Sequence, residues 1–437
     1  MHYLEKRMPN STMHPPKLSG WFHFAGKKVL LLQGPHGPFF KRVKAELLAS
    51  GAQKVSKVNF NGGDWLYFSG DAFSYTGDLS GWPEYLARLM DQEGFDSVMV
   101  FGDCRPIHTA AREIVKSKGA EFWVFEEGYV RPNFITLEQH GVNGYSCLPA
   151  QRDTYDKWQI DDSNTEINLP RSFGAAAQCA MAYFMASMLA WPIFRRYLHH
   201  RRLSIWDGLL WVRSFARKKI YARKEANSLI DLQPVGKRSY FLVILQVASD
   251  AQVSVHSQYT SITEFIEDTV KSFSQYASKN SQDSVLLIKH HPMDRGYTDY
   301  SDLITQLEKQ HSLIGRLRYI HDQHLPELLA NAQGVITINS TVGLSALDHG
   351  TPVMALGKAV YNMQGLTCQD SLSAFWKQPA KYTADKKLHK KFLNYVILHT
   401  QINGNFYVSL PNTDPRSLPW STLARAAQSN IVKVPQA

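Results

Sequence analysis

Residues 97–128, SVMVFGDCRPIHTAAREIVKSKGAEFWVFEEG, carry the reading that decides the fold. The unbroken apolar run SVMVF stops at Gly102-Asp103-Cys104-Arg105-Pro106, a helical stretch follows over residues 107–118, and Gly119 ends it. A second apolar run, FWVF, then leads straight into Glu126-Glu127-Gly128. Strand, helix and strand in that order predict a βαβ unit, and so a parallel sheet covered by helices. Upstream, KVLLLQ (28–33) has the same buried-strand character and breaks at the Gly-Pro loop 34–38. From about Lys237 the pattern restarts with YFLVIL (240–245), VLLI (285–288), VITI (335–338) and VMAL (353–356), four more candidate parallel strands. Ser261-Ile262-Thr263-Glu264 matches a capping box, and Ile262, Phe265, Ile266, Val270 and Phe273 follow at helical spacing. LPELLANA (325–332) predicts a short helix opened by Pro326. The chain thus reads as α/β, with two Rossmann-like domains facing one another across a cleft.

Between the two halves lies a different kind of sequence. Residues 173–194 contain no charge, whereas residues 195–224 hold ten Lys and Arg against the single Asp207, which accounts for nearly all of the chain's formal +10. Tyr197, Trp206, Trp211, Phe215 and Tyr221 are interleaved with those charges. A basic, aromatic segment beside an uncharged one predicts a surface that meets anionic lipid, with Arg195, Arg196, Arg201, Arg202, Trp206 and Trp211 as its contacts. Nucleic acid is the rival partner for a basic stripe. The uncharged neighbour, and the lack of an aromatic-rich sheet or DNA-reading helix, weigh against it. Gly174, Gln178, Ser187 and Pro192 make residues 173–194 a poor membrane span, so an interfacial or buried helix is expected. A core helix followed by a solvated basic helix is the plainer alternative.

The expected organisation is an N-terminal extension (1–27), a first α/β domain (28–165), the helical basic and aromatic insert (166–232), a second α/β domain (233–410) and a tail (411–437). Four widely spaced cysteines argue against a disulfide framework and a zinc site. The first residues place charges and prolines where a signal peptide needs an apolar core, so a cytoplasmic location is expected.

In open α/β sheets, ligands bind beyond the carboxyl ends of the strands. Those ends carry Gln33, Arg105, Glu126, Glu127, the stretch from Gln246 to Asp250, Lys289-His290-His291-Pro292 and Asn339-Ser340-Thr341. A lysine and imidazoles before a proline-fixed turn suit a phosphate. Adjacent histidines point in different directions and no third ligand follows at a metal spacing, so zinc is the weaker reading. Asn339, Ser340 and Thr341 lead from a strand into a helix, where hydroxyls and backbone N–H groups serve equally as a cap or an anion site. Glu126, Glu127 and Asp250 end strands in opposite domains, and paired carboxylates can divide the work of nucleophile and proton carrier in glycosyl transfer.

These residues lie in longer phrases: LLLQGPHGPFF (30–40), FNGGDW (60–65), FGDCRPIH (101–108), FEEGYVRPNFITLE (125–138), GVNGYS (141–146), KHHPMDRG (289–296) and TINSTVGLSAL (337–347). In this register the chain resembles the bacterial capsule polysaccharide β-Kdo transferases of the KpsS/LipB type over roughly residues 28–407. The resemblance implies a GT-B-like fold and a retaining transferase that moves 3-deoxy-D-manno-octulosonic acid (Kdo) from CMP-β-Kdo to phosphatidylglycerol or its lyso form. Such transfer starts the poly-Kdo linker of a capsule glycolipid, on the inner face of the cytoplasmic membrane. It also implies functional association with a KpsC-type transferase and the capsule ABC exporter. By the same resemblance the Gln-x-x-x-Asp motif falls on Gln246 and Asp250, which makes Asp250 the nucleophile. The acidic pair falls on Glu126-Glu127, where related enzymes have Glu-Asp, and the His-Pro motif falls on His291-Pro292. Lys289, His291, Asn339, Ser340 and Thr341 would hold the dianionic donor, with Arg105 and Arg131 helping from the other domain. With no Asp-x-Asp motif at a strand end, transfer without a metal or other cofactor is expected. Two alternatives stay open: a sialyltransferase-like enzyme using another CMP-sugar, and a non-catalytic scaffold of the export machinery.

Overall fold

A computed structural model describes residues 20–161, 168–170, 172–199, 206–279 and 283–408. Two sheets form two lobes. The first has seven strands in the order β12-β6-β5-β4-β1-β2-β3: β1 (Lys28–Leu31), β2 (Lys54–Asn59), β3 (Ala72–Ser74), β4 (Ser97–Phe101), β5 (Glu121–Glu127), β6 (Phe134–Gln139) and, from the far end of the chain, β12 (Gln401–Asn403). The second has five in the order β11-β10-β7-β8-β9: β7 (Tyr240–Ile244), β8 (Val285–Lys289), β9 (Leu317–Ile320), β10 (Gly334–Thr337) and β11 (Val353–Ala355). Two helix-covered sheets side by side are the arrangement of the GT-B glycosyltransferases.

The opening stretch folds as its pattern requires. β4 and β5 pair in parallel from Ser97↔Glu121 to Phe101↔Phe125. The helix between them, Pro106–Ser117, turns Ile107, Ala111 and Val115 into the core. All pairings in the second sheet are parallel, and β7, β8, β10 and β11 are buried on both faces, which is why they read as continuous apolar runs, whereas the edge strand β9 leaves Arg318 and Tyr319 half-buried. Ser261 caps the helix Ile262–Ala277 by accepting from Glu264 N at 3.2 Å, while the Glu264 carboxylate returns to Thr260 N at 2.8 Å.

Two boundaries differ from the sequence reading. The chain returns to the first lobe after the helix Lys386–Thr400, and β12 pairs antiparallel with β6, so residues 401–403 belong to the first sheet and not to the second domain. The insert is also divided between the lobes. Its uncharged helix, Phe173–Leu189, lies on the first lobe, where Tyr183 and Ser187 are buried against the helix Gly62–Tyr67. Its basic helix, Trp206–Lys224, lies on the second, with Arg217 bonded to the carbonyls of Arg295 and Thr298.

Gly62 and Gly63 allow the first of these dockings. A Cβ on Gly62 would sit 2.3 Å from the Ala186 carbonyl oxygen, and one on Gly63 2.4 Å from the Tyr183 ring. Ser187 Oγ accepts from Gly63 N at 2.9 Å, and Tyr183 OH donates to Asp64 at 3.2 Å. Gly62→Val is expected to lift the helix off the lobe at a cost of about 1–3 kcal/mol. A lower Tm, with earliest protease cleavage between residues 173 and 189, would show it; an unchanged Tm would remove this role from the glycine pair.

Candidate active site

In the first lobe three strand ends meet around Gly102. Arg105 Nε and Glu126 Oε2 lie 3.5 and 3.6 Å from the point where a Cβ on Gly102 would stand. Arg105 donates to Gln33 Oε1 at 3.2 Å, and its guanidinium lies over the Phe101 ring. Gln33 is fully buried and its amide donates to the Leu198 carbonyl at 2.9 Å, so it braces the site from below and ties the insert to β1. Glu126 is half-buried, accepts from Glu127 N at 3.0 Å, and is pushed up to about 7 by burial, with the charges of Glu127 and Asp103 adding to the effect. Glu127 is exposed. Arg131 is also exposed, and its charge reaches His291 in the opposite lobe.

The second lobe supplies a braced carboxylate. Gln246 Nε2 donates to Asp250 Oδ2 at 3.3 Å while Gln246 Oε1 accepts from Asn339 N at 3.2 Å. Asp250 Oδ1 caps the helix Ala251–His256 through Gln252 N at 2.9 Å. Asn339 Nδ2 donates to the Gln252 carbonyl at 3.2 Å, which closes the ring of contacts. Each Asp250 oxygen thus has a partner on one side, and burial raises the group's pKa.

The residues after β8 point in two directions. Lys289 and His290 turn inward: Lys289 Nζ donates to the His321 carbonyl at 2.8 Å, and His290 Nδ1 pairs with Tyr319 OH at 2.6 Å. Burial lowers the Lys289 pKa, and the ammonium, expected on a phosphate, is engaged by that carbonyl. His291 is half-buried and Pro292 exposed. Burial pushes His291 down to about 4, with Lys289 and Arg131 adding to the shift, so it is a neutral imidazole at pH 7 whose Nδ1 accepts from Met293 N at 3.2 Å. Ser340 Oγ accepts from Val342 N at 3.2 Å, and half-buried Thr341 precedes the helix Val342–Asp348.

His256, at the far end of the helix that Asp250 caps, crosses to the first lobe. Its Nε2 lies 3.7 Å from Cys104 Sγ and its ring meets Tyr145 edge-on at 4.6 Å. Asp103, Cys104 and His256 bring donor atoms within 4.8 Å of one another, a spacing that could hold a metal ion. Asp103 is already engaged, accepting from Arg112 at 2.8 Å, Val142 N at 3.1 Å and Cys104 Sγ at 3.3 Å. Burial pushes the Cys104 thiol up and His256 down to about 4, so both are neutral at pH 7. A six-residue helix rises roughly 9 Å, which puts Asp250 about that far from this junction, while Glu126 flanks Gly102 two residues before Cys104. The helix that Asp250 caps thus ends on the Cys104 turn of the first lobe, the turn that Glu126 adjoins at Gly102.

Sequence reasoning did not separate out Asp294 and His256. Asp294 is buried and accepts from Ala248 N at 3.0 Å and Thr298 OH at 2.7 Å, holding the loop that leads to Asp250. Its place inside KHHPMDRG was the available signal. Of the expected lipid contacts, Arg195 and Arg196 are exposed, Trp206 and Trp211 are positions on the basic helix, and Arg201 and Arg202 lie outside the described residues. Beside the arginines, Met181, Met185, Met188 and Leu189 form an exposed apolar ridge that Trp191 and Ile193 continue. Among the described residues no helix is long and apolar enough to cross a membrane.

The family described as "Capsule polysaccharide biosynthesis protein" matches residues 96–407. The chain is 42% identical over 385 residues to the capsule polysaccharide export protein KpsS of Escherichia coli, covering 88% of this chain and 97% of that one. With the capsule polysaccharide modification protein LipB of Neisseria meningitidis serogroup A it shares 36% over 399 residues, covering 89% and 94%. Among solved structures it is similar to the beta Kdo 2,7 transferase KpsC of Thermosulfurimonas dismutans, with a TM-score of 0.45 and 16% identity over 93% of this chain and 100% of that one.

Proposed function

The chain belongs to the capsule polysaccharide biosynthesis family, and we propose that within it the protein is a retaining β-Kdo transferase that uses CMP-β-Kdo and a phosphatidylglycerol or lysophosphatidylglycerol acceptor. The observation that carries this reading is the pair of unlike carboxylates, Asp250 braced by Gln246 in one lobe and Glu126 with a near-neutral pKa in the other. In the first step an Asp250 oxygen bonds to the anomeric carbon as its bond to the CMP phosphate oxygen breaks, and the electron pair leaves with CMP. In the second, the acceptor hydroxyl gives its proton to Glu126 and attacks that carbon, and the bond to Asp250 breaks. Two inversions give retention. To Arg131 and the neutral His291 we assign the donors that the departing phosphate needs. No step draws on a metal, so transfer is expected to proceed unchanged in EDTA; loss of activity restored by a divalent ion would refute that part.

The exposed Met181–Leu189 ridge and Arg195–Arg196 support docking on an anionic membrane, where the acceptor resides. A KpsC-type transferase would extend the product before an ABC exporter moves it. Replacing Arg195 and Arg196 with Ser is expected to weaken binding to anionic vesicles, read by sedimentation, on the order of 30-fold, at about 1 kcal/mol per charge, and to leave CMP binding unchanged. Sedimentation equal to wild type would remove lipid from the role of these arginines. The reading as a whole is tested by mass spectrometry of a reaction holding the protein, freshly made CMP-Kdo and a fluorescent phosphatidylglycerol. One added Kdo supports it. Turnover of CMP-sialic acid with CMP-Kdo untouched would overturn it.

A further inference from the structure

The basic helix Trp206–Lys224 does more than present charge, because its inner face grips the loop that follows β8. Arg217 donates to the Arg295 carbonyl at 2.8 Å, the Thr298 carbonyl at 3.2 Å and Asp299 at 3.2 Å. Tyr221 OH also reaches Asp299 at 3.2 Å, and its ring lies flat on His321 with centroids 3.6 Å apart. Gly296 passes so close beneath the helix that a Cβ there would stand 2.4 Å from the Leu210 carbonyl oxygen. Buried Glu225, just past the helix, accepts from His321 N at 3.0 Å and pairs with His321 Nδ1 at 2.6 Å. The same loop reaches the site on its other side, since Asp294 holds Ala248 N two residues before Asp250. One short path of hydrogen bonds and backbone thus runs from the helix through residues 294–299 to the loop that carries the carboxylate.

We propose that Arg217 and Asp294 are positioning residues for Asp250: Arg217 fixes the 294–299 loop against the basic helix, and Asp294 passes that placement to residues 246–250. The proposal rests on the reading of Asp250 as the nucleophile. It also divides the basic helix by face. Arg217 is mostly buried on the lobe, while Val212, Phe215 and Ile220 are exposed beside Lys218 and Lys219 on the side open to a lipid surface. The helix that would meet the membrane is then also the backing of the donor loop.

The test uses the full chain as wild type, Arg217→Ala, Asp294→Ala, Asp294→Asn and Lys219→Ala. Two readouts are taken: amide hydrogen exchange over residues 246–256 and 289–299, and kinetics with CMP-Kdo and phosphatidylglycerol in mixed micelles. Arg217→Ala is expected to speed exchange in both segments and to lower kcat on the order of 10–100-fold, the penalty of a reacting group displaced by about 1 Å, with KM for CMP-Kdo little changed. Asp294→Asn keeps an oxygen that can accept from Ala248 N and should retain most of kcat, whereas Asp294→Ala should lose it. Lys219→Ala should leave exchange in both segments at the wild-type rate. Faster exchange in Arg217→Ala confined to the helix itself, with residues 246–256 unchanged, would overturn the proposal. If wild type transfers no Kdo the functional reading fails, while the exchange data still decide whether the helix holds the loop.

Discussion

Asp250→Asn protein mixed with CMP-Kdo and phosphatidylglycerol is expected to transfer Kdo on the order of 10⁴-fold more slowly than wild type, because an amide cannot form the glycosyl ester that a carboxylate forms. Asparagine is the right probe. Asp250 accepts from Gln252 N at 2.9 Å as the cap of its helix, and an asparagine oxygen can keep that bond. Alanine would remove nucleophile and cap together, and the loss of the cap alone costs about 1 kcal/mol. Wild type incubated with donor and no acceptor should show intact protein heavier by one Kdo, with the adduct on a peptide containing Asp250. The variant should show none. If Asp250→Asn retained wild-type rates, or if the product anomer proved inverted, the double displacement would be wrong and the second-lobe carboxylate would be only a helix cap.

The second large effect concerns Glu126. As the proton acceptor it must be ionised, and burial holds it at about 7, so kcat should rise with pH through that value in wild type. Glu126→Gln should lose about 10²–10⁴-fold in kcat and show no such rise. Stability moves the other way. The group's pKa is raised from 4.5 in the folded protein, so the folded state keeps a proton that the unfolded chain releases, and the wild type loses stability as pH climbs from about 4.5 to 7. Glu126→Gln, free of that penalty, should unfold above wild type at pH 8 by about 1–3 kcal/mol and match it at pH 4. A variant that is less active but no more stable at pH 8 would place the titration elsewhere. Glu138, bonded to Tyr129 and Ser146, is also pushed up to about 7 by burial, so Glu138→Gln is the control that separates its titration from that of Glu126.

Strands buried on both faces were the part of the fold most legible in sequence: SVMVF, FWVF, YFLVIL and VLLI announce themselves because nothing polar interrupts them. Strand β2, KVSKVN, hides because Lys57 is buried inside it, where Asp64 lies 3.3 Å away and Asn59 accepts at 2.8 Å. β6 hides because buried Glu138 sits one residue before its end, and β12 because its partner lies 265 residues away. At the candidate site, chemistry was legible and direction was not. Lys289 and His291 are alike as strand-end cationic or imidazole groups, yet one turns under the sheet and the other toward the cleft, a choice made by the His321 carbonyl on a neighbouring strand end. Asp294 shows the same limit, since its bond to Ala248 spans 46 residues. The division of the insert between lobes depends on Gly62 and Gly296, two glycines far from it in sequence and distinguished only by what passes close to them.

The return of the chain through β12 bears on how the protein is made. Gln401 pairs with Thr136 and Ile402 with Ile135, so the first lobe is complete only when residues near the end of the chain arrive. Translation at about 5–20 residues per second would leave the outer edge of β6 without its neighbour for roughly 13–50 s, while the whole second lobe is synthesised. During that interval the nascent first lobe presents an unpaired strand edge, the kind of surface that recruits other chains. The second lobe needs no such late strand for its sheet, although Leu388, Phe392, Tyr395 and Val396 of the helix before β12 complete its core. The amino-terminal half, made first, would then wait for the returning segment before its sheet is whole.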